Sequence, residues 1–426
     1  MGIVMKKTFL GAIRITENLL NDFIFMCESR LKPTYFSRQG NNKLTFKSII
    51  LFSFNFVKKS IQIELDDFFD LMNQSDIRVS KQAFSEARQK ISPHAFIKLA
   101  DAVMDWFYDD DSFKTFKGYR LSAIDGSIFE LNNSERLRDA YGYAEGGTVK
   151  LARAMTSSIY DIENDMIMTS IITRYDAAER DIAIELIKNL KMKGLKNDLI
   201  LFDRGYPSKK FISYLFNSGV NFLIRAPKST LKVVMEAKAP DQIVELKVDG
   251  KTIPLRVLRF TLDSGVEEIL ITSLLDPTLS IQDFKDLYFK RWGIETKYDE
   301  LKNKLQIQNF TGDTVISVEQ DFYASVYLAN MVALVKQEAN DIISQEDAGK
   351  QLKHEYKANT NIVIGKLKNK MVQMLLEDHP ERRQAIFHQI MQDISRNKTA
   401  IRPGRSYTRR IGLRANKNSL NQKRCL

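Results

Sequence analysis

Two aspartates lie at positions that are typical of functional carboxylates. Asp125 follows the largely apolar run 121–124 in the middle of a predicted buried strand. An unpaired carboxylate there would cost roughly several kcal/mol, so a cationic group must lie near it. Asp203 follows a second apolar run, at the carboxyl end of another predicted strand, where ligands of α/β sheets gather. The pair could bind a metal ion, although each aspartate could also be an ordinary turn or capping residue.

A third carboxylate, Glu295, lies in a long helix predicted to begin after Ser280, which forms a capping box with Asp283. Four polar side chains of this helix are separated by 3, 4 and 7 positions: Tyr288, Arg291, Glu295 and Lys302. At about 3.6 residues per turn they share one face, and a neighbouring apolar stripe can hold the helix against a sheet. By itself this pattern could equally be a solvated face with ion pairs between successive turns.

The composition restricts which metal these side chains could bind. Cys27 and Cys425 are the only cysteines and lie nearly 400 positions apart. This excludes a disulfide framework and a cysteine-based zinc site, and it fits a reducing cytoplasm. The four histidines share no metal-ligand spacing. A metal bound here would therefore be a hard cation held by carboxylates.

The charge of the chain favours a polyanionic partner, with nucleic acid the leading candidate. The 426 residues carry 64 Lys and Arg against 53 Asp and Glu, a net charge of +11. Ten cations and no acid lie in residues 396–426, which we predict to be a disordered, phosphate-binding tail, although it could be merely solubilising. No apolar run reaches the roughly 18 to 20 residues that a bilayer needs, and no secretory cleavage site is evident. We therefore expect a cytoplasmic protein without a membrane partner.

The elements that would position the candidate residues differ along the chain. Residues 1 to about 115 have helical periodicity, and Ser80 resembles the N-cap of a helix in which Arg88 lies on the face opposite Phe84. This helix and the preceding one could form a DNA-binding helix-turn-helix or an ordinary helical scaffold. The candidate DNA contacts in this region are Lys81, Gln82, Arg88 and Lys90.

From residue 119 onward the pattern changes to three strands, a helix and another strand, which predict a mixed sheet covered by helices. These elements span residues 119–131, 148–162, 165–175, 177–190 and 197–203. Residues 220–275 again have strand patterns, and helical patterns continue from residue 280 to the basic tail. The length fits about three domains.

The candidate residues resemble one known family. The spacing of Tyr288, Arg291, Glu295 and Lys302 reproduces the Y-(2)-R-(3)-E-(6)-K signature of a group of bacterial insertion-sequence transposases of the DDE superfamily. The segments AIDGS around Asp125, LFDRGY around Asp203 and IQNFTGDTVISVEQDFYASVYLANM after the helix are also similar to that group, in the same order. The resemblance covers roughly residues 119–345.

The resemblance implies an α/β fold with a ribonuclease H-like catalytic core, a mixed sheet with an inserted antiparallel β-subdomain, flanked by helical N- and C-terminal regions. Asp125, Asp203 and Glu295 would be the catalytic residues and the ligands of two Mg²⁺ or Mn²⁺ ions, which suit in-line cleavage of a phosphodiester.

The same resemblance implies which side chains contact DNA. Tyr288, Arg291 and Lys302 would bind phosphates of the element end, where an arginine can bind in a bidentate manner. Arg204, next to Asp203, is a further candidate DNA contact. Trp292 could stack on a displaced base, but we favour the simpler interpretation that its ring belongs to the core.

The predicted organisation has four parts. A helical region (1–115) would bind DNA ends, and a catalytic domain (116–345) would contain a β insertion at about 218–276. A helical C-terminal region (346–395) and the basic tail would follow.

The resulting hypothesis is a transposase of an insertion sequence. It would bind terminal inverted repeats in double-stranded DNA, cleave the DNA and transfer the 3′ ends to target DNA. It would act as a homodimer in a synaptic complex within the bacterial nucleoid. Two alternatives remain: a catalytically silent DNA-binding relative or inhibitor, and a host nuclease or recombinase on the same core. A silent relative would show a lost carboxylate, whereas all three are present.

Overall fold

The computed structural model describes residues 7–37, 43–55, 60–74, 76–146, 149–229, 231–262, 265–368 and 370–402. These residues form two compact units. The first unit contains the described residues of 1–112, 130–153 and 300–426, and the second contains those of 113–129 and 154–299.

The first unit is mainly helical, as the N-terminal periodicity predicts. Numbered in chain order, its helices are α1 (Phe9–Asn21), α2 (Phe23–Ser29), α3 (Phe46–Ser53), α4 (Ile61–Leu71), α5 (Lys81–Arg88), α6 (His94–Phe107), α7 (Glu135–Tyr141), α13 (Val315–Asp347), α14 (Thr360–Leu367), α15 (Lys370–Leu376) and α16 (Pro380–Arg396). Ser80 accepts a hydrogen bond from the Ala83 N–H, which confirms it as the N-cap of α5. None of the helices in the described part of the chain is long and apolar enough to span a bilayer.

Helix α13 forms the centre of the first unit. Its middle portion, residues 326–335, is buried at every position, because α1, α6, α14 and α16 contact it from several sides. A helix that is covered all round has no amphipathic pattern, so its sequence is apolar on every face. The hydroxyl of Tyr327 shares a 2.8 Å hydrogen bond with Thr16 of α1, which satisfies the polar group inside this core.

Arg88 is buried in the first unit and is not available to contact DNA. Its guanidinium donates hydrogen bonds to the side chains of Gln320 and Asp321 at 2.7 Å each and to the Ser317 carbonyl at 3.1 Å. It also lies 5.7 Å from the ring centroid of Phe84, so these two side chains share one side of α5. The opposite-face prediction is wrong because residues four positions apart on a helix share a face. The DNA contact predicted for Arg88 is also wrong, because α13 covers its side chain.

The second unit contains most of a mixed sheet of nine described strands. Its strands are β1 (Arg120–Glu130), β3 (Val149–Asp161), β4 (Met166–Arg174), β5 (Asp198–Phe202), β6 (Asn221–Arg225), β7 (Asp241–Val248), β8 (Lys251–Thr261) and β9 (Glu267–Thr272). Its helices are α8 (Glu179–Met192), α9 (Lys209–Ser218), α10 (Lys232–Glu236), α11 (Ile281–Phe289) and α12 (Trp292–Asp299). Strands β1 and β3 continue into the first unit, where β2 (Tyr143–Gly146) pairs with β3.

The strand order β4-β3-β1-β5-β6 is ribonuclease H-like and confirms the predicted fold class. Strands β3 and β4 are antiparallel, whereas β1, β5 and β6 are parallel. The first residues of β1 and β5, Arg120 and Asp198, form a buried ion pair at 2.7 Å. A shift of register would leave both charges buried without a partner, so this pair fixes the alignment of the two strands.

The inserted antiparallel segment begins later than predicted. Residues 221–225, which sequence analysis assigned to the insertion, form β6 and pair in parallel with β5 as the fifth strand of the core. The insertion proper consists of α10, β7, β8 and β9, and β9 returns to pair antiparallel with β6. A short apolar strand has the same pattern in either setting, so the sequence does not distinguish them.

The helix that carries Glu295 is interrupted. The capping box of Ser280 and Asp283 starts α11 as predicted, but the N–H groups of Arg291 and Gly293 bond to carbonyls three residues back instead of four. Helix α12 follows, and residues 300–304 form a π-helical turn. The prediction of one continuous helix is therefore wrong, and its uniform spacing does not extend to residue 302. Gly293, a residue of low helix propensity, lies at the interruption.

The basic tail begins later than sequence analysis placed it. Strand β11 (Thr399–Ala400) pairs antiparallel with β10 (Tyr356–Lys357) in the first unit. Beside it, Lys398 forms a 2.6 Å ion pair with Asp347. The tail predicted to be disordered therefore cannot begin before residue 403, and residues 403–426 lie outside the described residues.

Candidate active site

Asp125 and Asp203 lie at corresponding positions of neighbouring strands. The parallel pairing of β1 with β5 joins residues 78 positions apart, from Arg120 with Asp198 to Ala123 with Leu201. Asp125 and Asp203 keep the same interval, two residues beyond the last pair, and Asp203 directly follows the end of β5. The strand register therefore brings these two predicted carboxylates together.

The main chain around Asp125 is held from two directions. Its carbonyl accepts hydrogen bonds from the hydroxyls of Ser157 on β3 and Tyr298 on α12, each at 2.9 Å. One carboxylate oxygen accepts the N–H of Gly126, also at 2.9 Å. These contacts fix the position of the strand and of α12 while one carboxylate oxygen keeps free acceptor capacity.

Arg291 is the cationic group that the burial of Asp125 requires. Its side chain is only 4% exposed, and its guanidinium lies 2.8 Å from the carboxylate of Glu295 and 3.6 Å from that of Asp125. The guanidinium also lies over the ring of Trp292, 5.3 Å from the centroid. Arg291 therefore connects two of the three predicted catalytic carboxylates through one buried positive charge.

Asp203 is oriented by two neighbouring elements. The hydroxyl of Tyr288 on α11 donates a hydrogen bond to its carboxylate at 3.2 Å. Arg180 on α8 donates two hydrogen bonds to the carbonyl of Gly205, at 3.1 and 2.8 Å, which holds the turn that follows Asp203. The structure thus links Tyr288 and Arg291 of the predicted signature directly to the carboxylates.

Burial raises the pKa of Asp125 to about 6. The positive charge of Arg291 and the N–H of Gly126 oppose this shift, and the negative charges of Glu179 and Glu295 add to it. The Asp125 carboxylate is therefore ionised at neutral pH, and the burial of its charge lowers the stability of the folded state. A charged carboxylate under this cost is expected of a group that binds a cation.

The stability of the folded protein should therefore depend on pH through Asp125. The folded state keeps the Asp125 proton up to about pH 6, whereas the unfolded chain releases it near 3.8, so stability should fall as pH rises between these values. We expect wild type to lose about 2 kcal/mol more than Asp125→Asn between pH 4 and pH 7, after allowance for partial exposure. Urea unfolding of both proteins at the two pH values measures the difference. Parallel losses in the two proteins would contradict the raised pKa.

The remaining predicted residues have different surroundings. The ring of Trp292 is 44% exposed, so our interpretation of it as a core residue is wrong. At about 100° per residue, Trp292 lies on the side of the helix opposite the apolar stripe of Leu287 and Ile294, so the helical spacing itself indicated an exposed ring. Arg204 is exposed beside Asp203. Lys302 lies in the π-helical turn of the first unit, and its relation to the carboxylates of the second unit stays a prediction.

Sequence reasoning missed two groups at this site. The carboxylate of Glu179, the first residue of α8, lies close to Gly126 and Gly205. The ring of Tyr206 is buried, and its pKa is raised by burial and then by the charges of nearby carboxylates. A glycine shortly after each aspartate was the available signal, because an isolated glycine beside a strand often marks the close approach of another group.

The predicted ligands Asp125, Asp203 and Glu295 have the chemistry of a hard-cation site, because carboxylate oxygens are the ligands that Mg²⁺ and Mn²⁺ prefer. In the side-chain arrangement seen here, however, no three His, Cys, Asp or Glu groups of the described chain converge closely enough to enclose an ion. Arg291 supplies the neutralising charge between Asp125 and Glu295 instead. A bound cation would take over that role.

The sequence of residues 116–331, just over half of the chain, matches the family described as Transposase DDE domain. The chain belongs to this family of transposases. Its matched segment contains the two aspartates, Glu295 and the interrupted helix described above. DDE transposases generally use divalent metal ions. The family match confirms the DDE superfamily that the signature residues indicated.

A solved structure that resembles this DDE transposase is the cryo-EM structure of a piggyBac transposase synaptic complex with hairpin DNA. The two chains share 11% sequence identity with a TM-score of 0.47, over 97% of this chain and 92% of the other. No curated protein matches the sequence with significance.

Proposed function

We propose that this DDE transposase cleaves DNA at the terminal inverted repeats of its own insertion sequence and joins the freed 3′ ends to target DNA. The observation that carries the proposal is the position of Asp125 and Asp203 in one strand register, with Glu295 tied to Asp125 through Arg291. Three carboxylates brought together in the second unit are suited to phosphodiester chemistry.

In this proposal Asp125, Asp203 and Glu295 hold two Mg²⁺ or Mn²⁺ ions. When bound, the ions would activate the attacking oxygen and neutralise the leaving oxygen. The protein's own contribution is to keep the ligands in place: Tyr288 orients Asp203, and the bonds from Tyr298 and Ser157 fix the backbone of Asp125. These supporting contacts do not use up the ligand oxygens of Asp125.

The surface beside the carboxylates is suited to DNA. The lining of a cavity of about 510 Å³ in the second unit includes the cations and aromatic residues Arg225, Lys285, Tyr288, Phe289, Arg291 and Trp292, together with the acids Glu268 and Asp286. Phe289 and Trp292 expose their rings, and Lys285 lies over the ring of Phe260 at 4.7 Å. Cations and exposed aromatic rings in one cavity can bind phosphates and stack on bases. We propose Arg204, Lys302, Trp292 and the cavity-lining Tyr288 as DNA contacts, and Arg291 as a further contact once a bound cation takes over its ion pairs with Asp125 and Glu295. We further propose a homodimeric synaptic complex on nucleoid DNA.

The test is cleavage by the full chain of short duplexes that carry the inverted repeats flanking its gene. With Mg²⁺ or Mn²⁺ we expect strand cleavage at the repeat ends and joining of the 3′ ends to a target plasmid. A duplex with scrambled repeats serves as the control. Specific binding without cleavage would support a silent relative, and cleavage without preference for repeats would support a host nuclease.

The basic tail should add affinity without specificity, since phosphate contacts carry no sequence information. A truncation after Arg402 keeps β11 and the Lys398 ion pair, and it removes most of the tail's cations. We expect a similar fold-loss of affinity for repeat ends and for random duplex at low salt, which shrinks as salt rises. Gel-shift titrations at two or more salt concentrations measure the affinity for repeat ends and the affinity for random duplex. Loss of repeat binding alone would show that the tail reads sequence.

A further inference from the structure

Glu295 lies on a short helix whose rotation is not fixed by a continuous helical backbone. Helix α12 has eight residues, Trp292–Asp299. The regular backbone bonds are interrupted at Arg291 and Gly293, and a π-helical turn follows Asp299. In a continuous helix the backbone bonds keep each turn aligned with the next, so an interrupted segment needs side-chain contacts to hold its rotation. The direction of the Glu295 carboxylate therefore depends on the residues that α12 packs against.

The turn between β3 and β4, residues 161–165, is the support that lies against α12. Inside it, the backbone N–H and the side-chain amide of Asn164 donate to the carboxylate of Asp161 at 3.0 and 2.8 Å. The same amide donates to the carbonyl of Lys114 and accepts its N–H, each at 2.9 Å. Asp161 and Asn164 are both buried. These bonds fix the conformation of the turn independently of α12.

Lys297 attaches α12 to this turn. Its side chain is only 3% exposed, and its ammonium group donates to the carboxylate of Asp165 at 3.0 Å. The hydroxyl of Tyr160 donates to the same carboxylate at 2.9 Å and orients it. Lysine is rarely buried to this extent, and an apolar side chain often fills such a position at no loss of stability. What the ion pair adds over an apolar contact is a preference for one orientation of the helix.

The attachment acts on Glu295 because of where Lys297 lies on the helix. Residues two positions apart differ by about 200° around the axis, so Lys297 and Glu295 point to nearly opposite sides of α12. A Cβ on Gly293 would lie 3.4 Å from the ring of Tyr160, so the helix backbone also lies directly against β3. On a third side Tyr298 donates to the carbonyl of Asp125. A rotation of α12 that broke the Lys297 contact would therefore move Glu295 relative to Asp125.

We propose that Lys297 is a positioning residue of the active site, whose ion pair with Asp165 sets the rotation of α12 and thereby the place of the Glu295 carboxylate. The inference rests on the proposed function, in which Glu295 takes part in cleavage. Lys297 acts through Glu295 and needs no contact with DNA or with a metal ion. A displacement of about 1 Å at a catalytic group can lower the rate by roughly 100-fold.

The experiment is cleavage of repeat duplexes by the full chain carrying Lys297→Met. Methionine keeps an unbranched side chain of similar length and removes the charge. We expect kcat at saturating DNA to fall by about 100-fold, with the affinity for repeat ends in metal-free buffer as in wild type. Tyr160→Phe removes only the hydroxyl that orients Asp165, and it should lower kcat by a smaller factor. If Lys297→Met does not fold, Tyr160→Phe makes the same comparison.

Trp292 gives a readout of α12 that does not require cleavage. The chain has two tryptophans, Trp106 and Trp292, and the ring of Trp292 is partly exposed on α12. In a Trp106→Phe background, tryptophan emission therefore reports on this helix alone. Lys297→Met should shift the emission maximum and change quenching by iodide, because the ring moves with the helix.

Arg383→Met is the matched control for a loss of stability. Arg383 is also buried, and its guanidinium binds both carboxylate oxygens of Glu17, at 2.7 and 2.9 Å, in the first unit. This variant should also lower the unfolding temperature but should keep the kcat and the Trp292 emission of wild type. Circular dichroism sets an assay temperature at which both variants are folded. Equal losses of kcat in the two variants would overturn the proposal, because stability alone would then explain them.

Two other results would also overturn the proposal. One is a wild-type kcat in folded Lys297→Met. The other is a lower kcat with unchanged Trp292 emission, because Lys297 would then act without moving α12. If wild type itself does not cleave repeat duplexes, the proposed function fails, whereas a shifted Trp292 emission would still support the hold of Lys297 on α12. The two failures are therefore distinguishable.

Discussion

Replacing Asp203 with asparagine should abolish DNA strand cleavage, with a loss of roughly 1,000-fold or more, and should leave binding to repeat ends intact. Asparagine has nearly the same shape, so the hydrogen bond from Tyr288 and the turn held by Arg180 can persist. Only the negative charge is lost, and a neutral amide is a poor ligand for a hard cation. Asp125→Asn and Glu295→Gln should have the same effect.

Paired assays of the same protein samples check this result. Cleavage of labelled repeat duplexes in Mg²⁺ gives the rate, and gel shifts in metal-free buffer give the affinity. Asp181→Asn, an exposed acid in the first turn of α8, is the matched control and should cleave normally. Near wild-type cleavage by Asp203→Asn would refute the catalytic assignment. Loss of binding together with cleavage would show instead that Asp203 has a structural role.

Replacing Arg291 with methionine should destabilise the metal-free second unit by about 3 kcal/mol at neutral pH. The substitution leaves the partly buried carboxylates of Asp125 and Glu295 without their shared cation, and removing one partner of a buried ion pair typically costs about 3 to 5 kcal/mol. Both carboxylates keep some contact with solvent, which favours the lower end of that range. Bound Mn²⁺ should recover part of the loss, because it supplies the missing positive charge.

Thermal unfolding with and without Mn²⁺ measures both parts of this prediction. Lys290→Met is the matched control, since Lys290 pairs with Glu163 at 2.5 Å but is 38% exposed. Exposed ion pairs contribute about 0 to 1 kcal/mol, so this variant should unfold close to wild type. Equal destabilisation of the two variants, or no recovery with Mn²⁺, would contradict the role of Arg291 as the internal counter-charge.

The sequence was sufficient for the features that depend on local pattern. The capping box at Ser280 begins α11, and the strands that carry the two aspartates lie where their apolar runs indicated. The need for a cation near Asp125 followed from burial alone, and Arg291 meets it. These inferences succeeded because each depends on a few neighbouring residues or on the cost of a buried charge.

The features that the sequence did not reveal depend on tertiary contacts. The burial of Arg88 is set by α13, more than 200 positions away. The parallel pairing of β6 depends on its partner strand. Glu179 was missed because an acid at the start of a helix is common, and only the fold brings it to Gly126.

The buried pair of Arg120 and Asp198 has a consequence for how the chain tolerates insertions. Each member precedes its aspartate by five positions, Asp125 on β1 and Asp203 on β5. Residues added to the turn at 193–197 would lengthen the interval of 78 without moving either carboxylate, because the strands would still align at the ion pair. A slip of β5 by one residue would turn Asp203 to the other face of the sheet. Homologues with loops of different length should therefore preserve the five-residue offsets even where the distance between the aspartates varies.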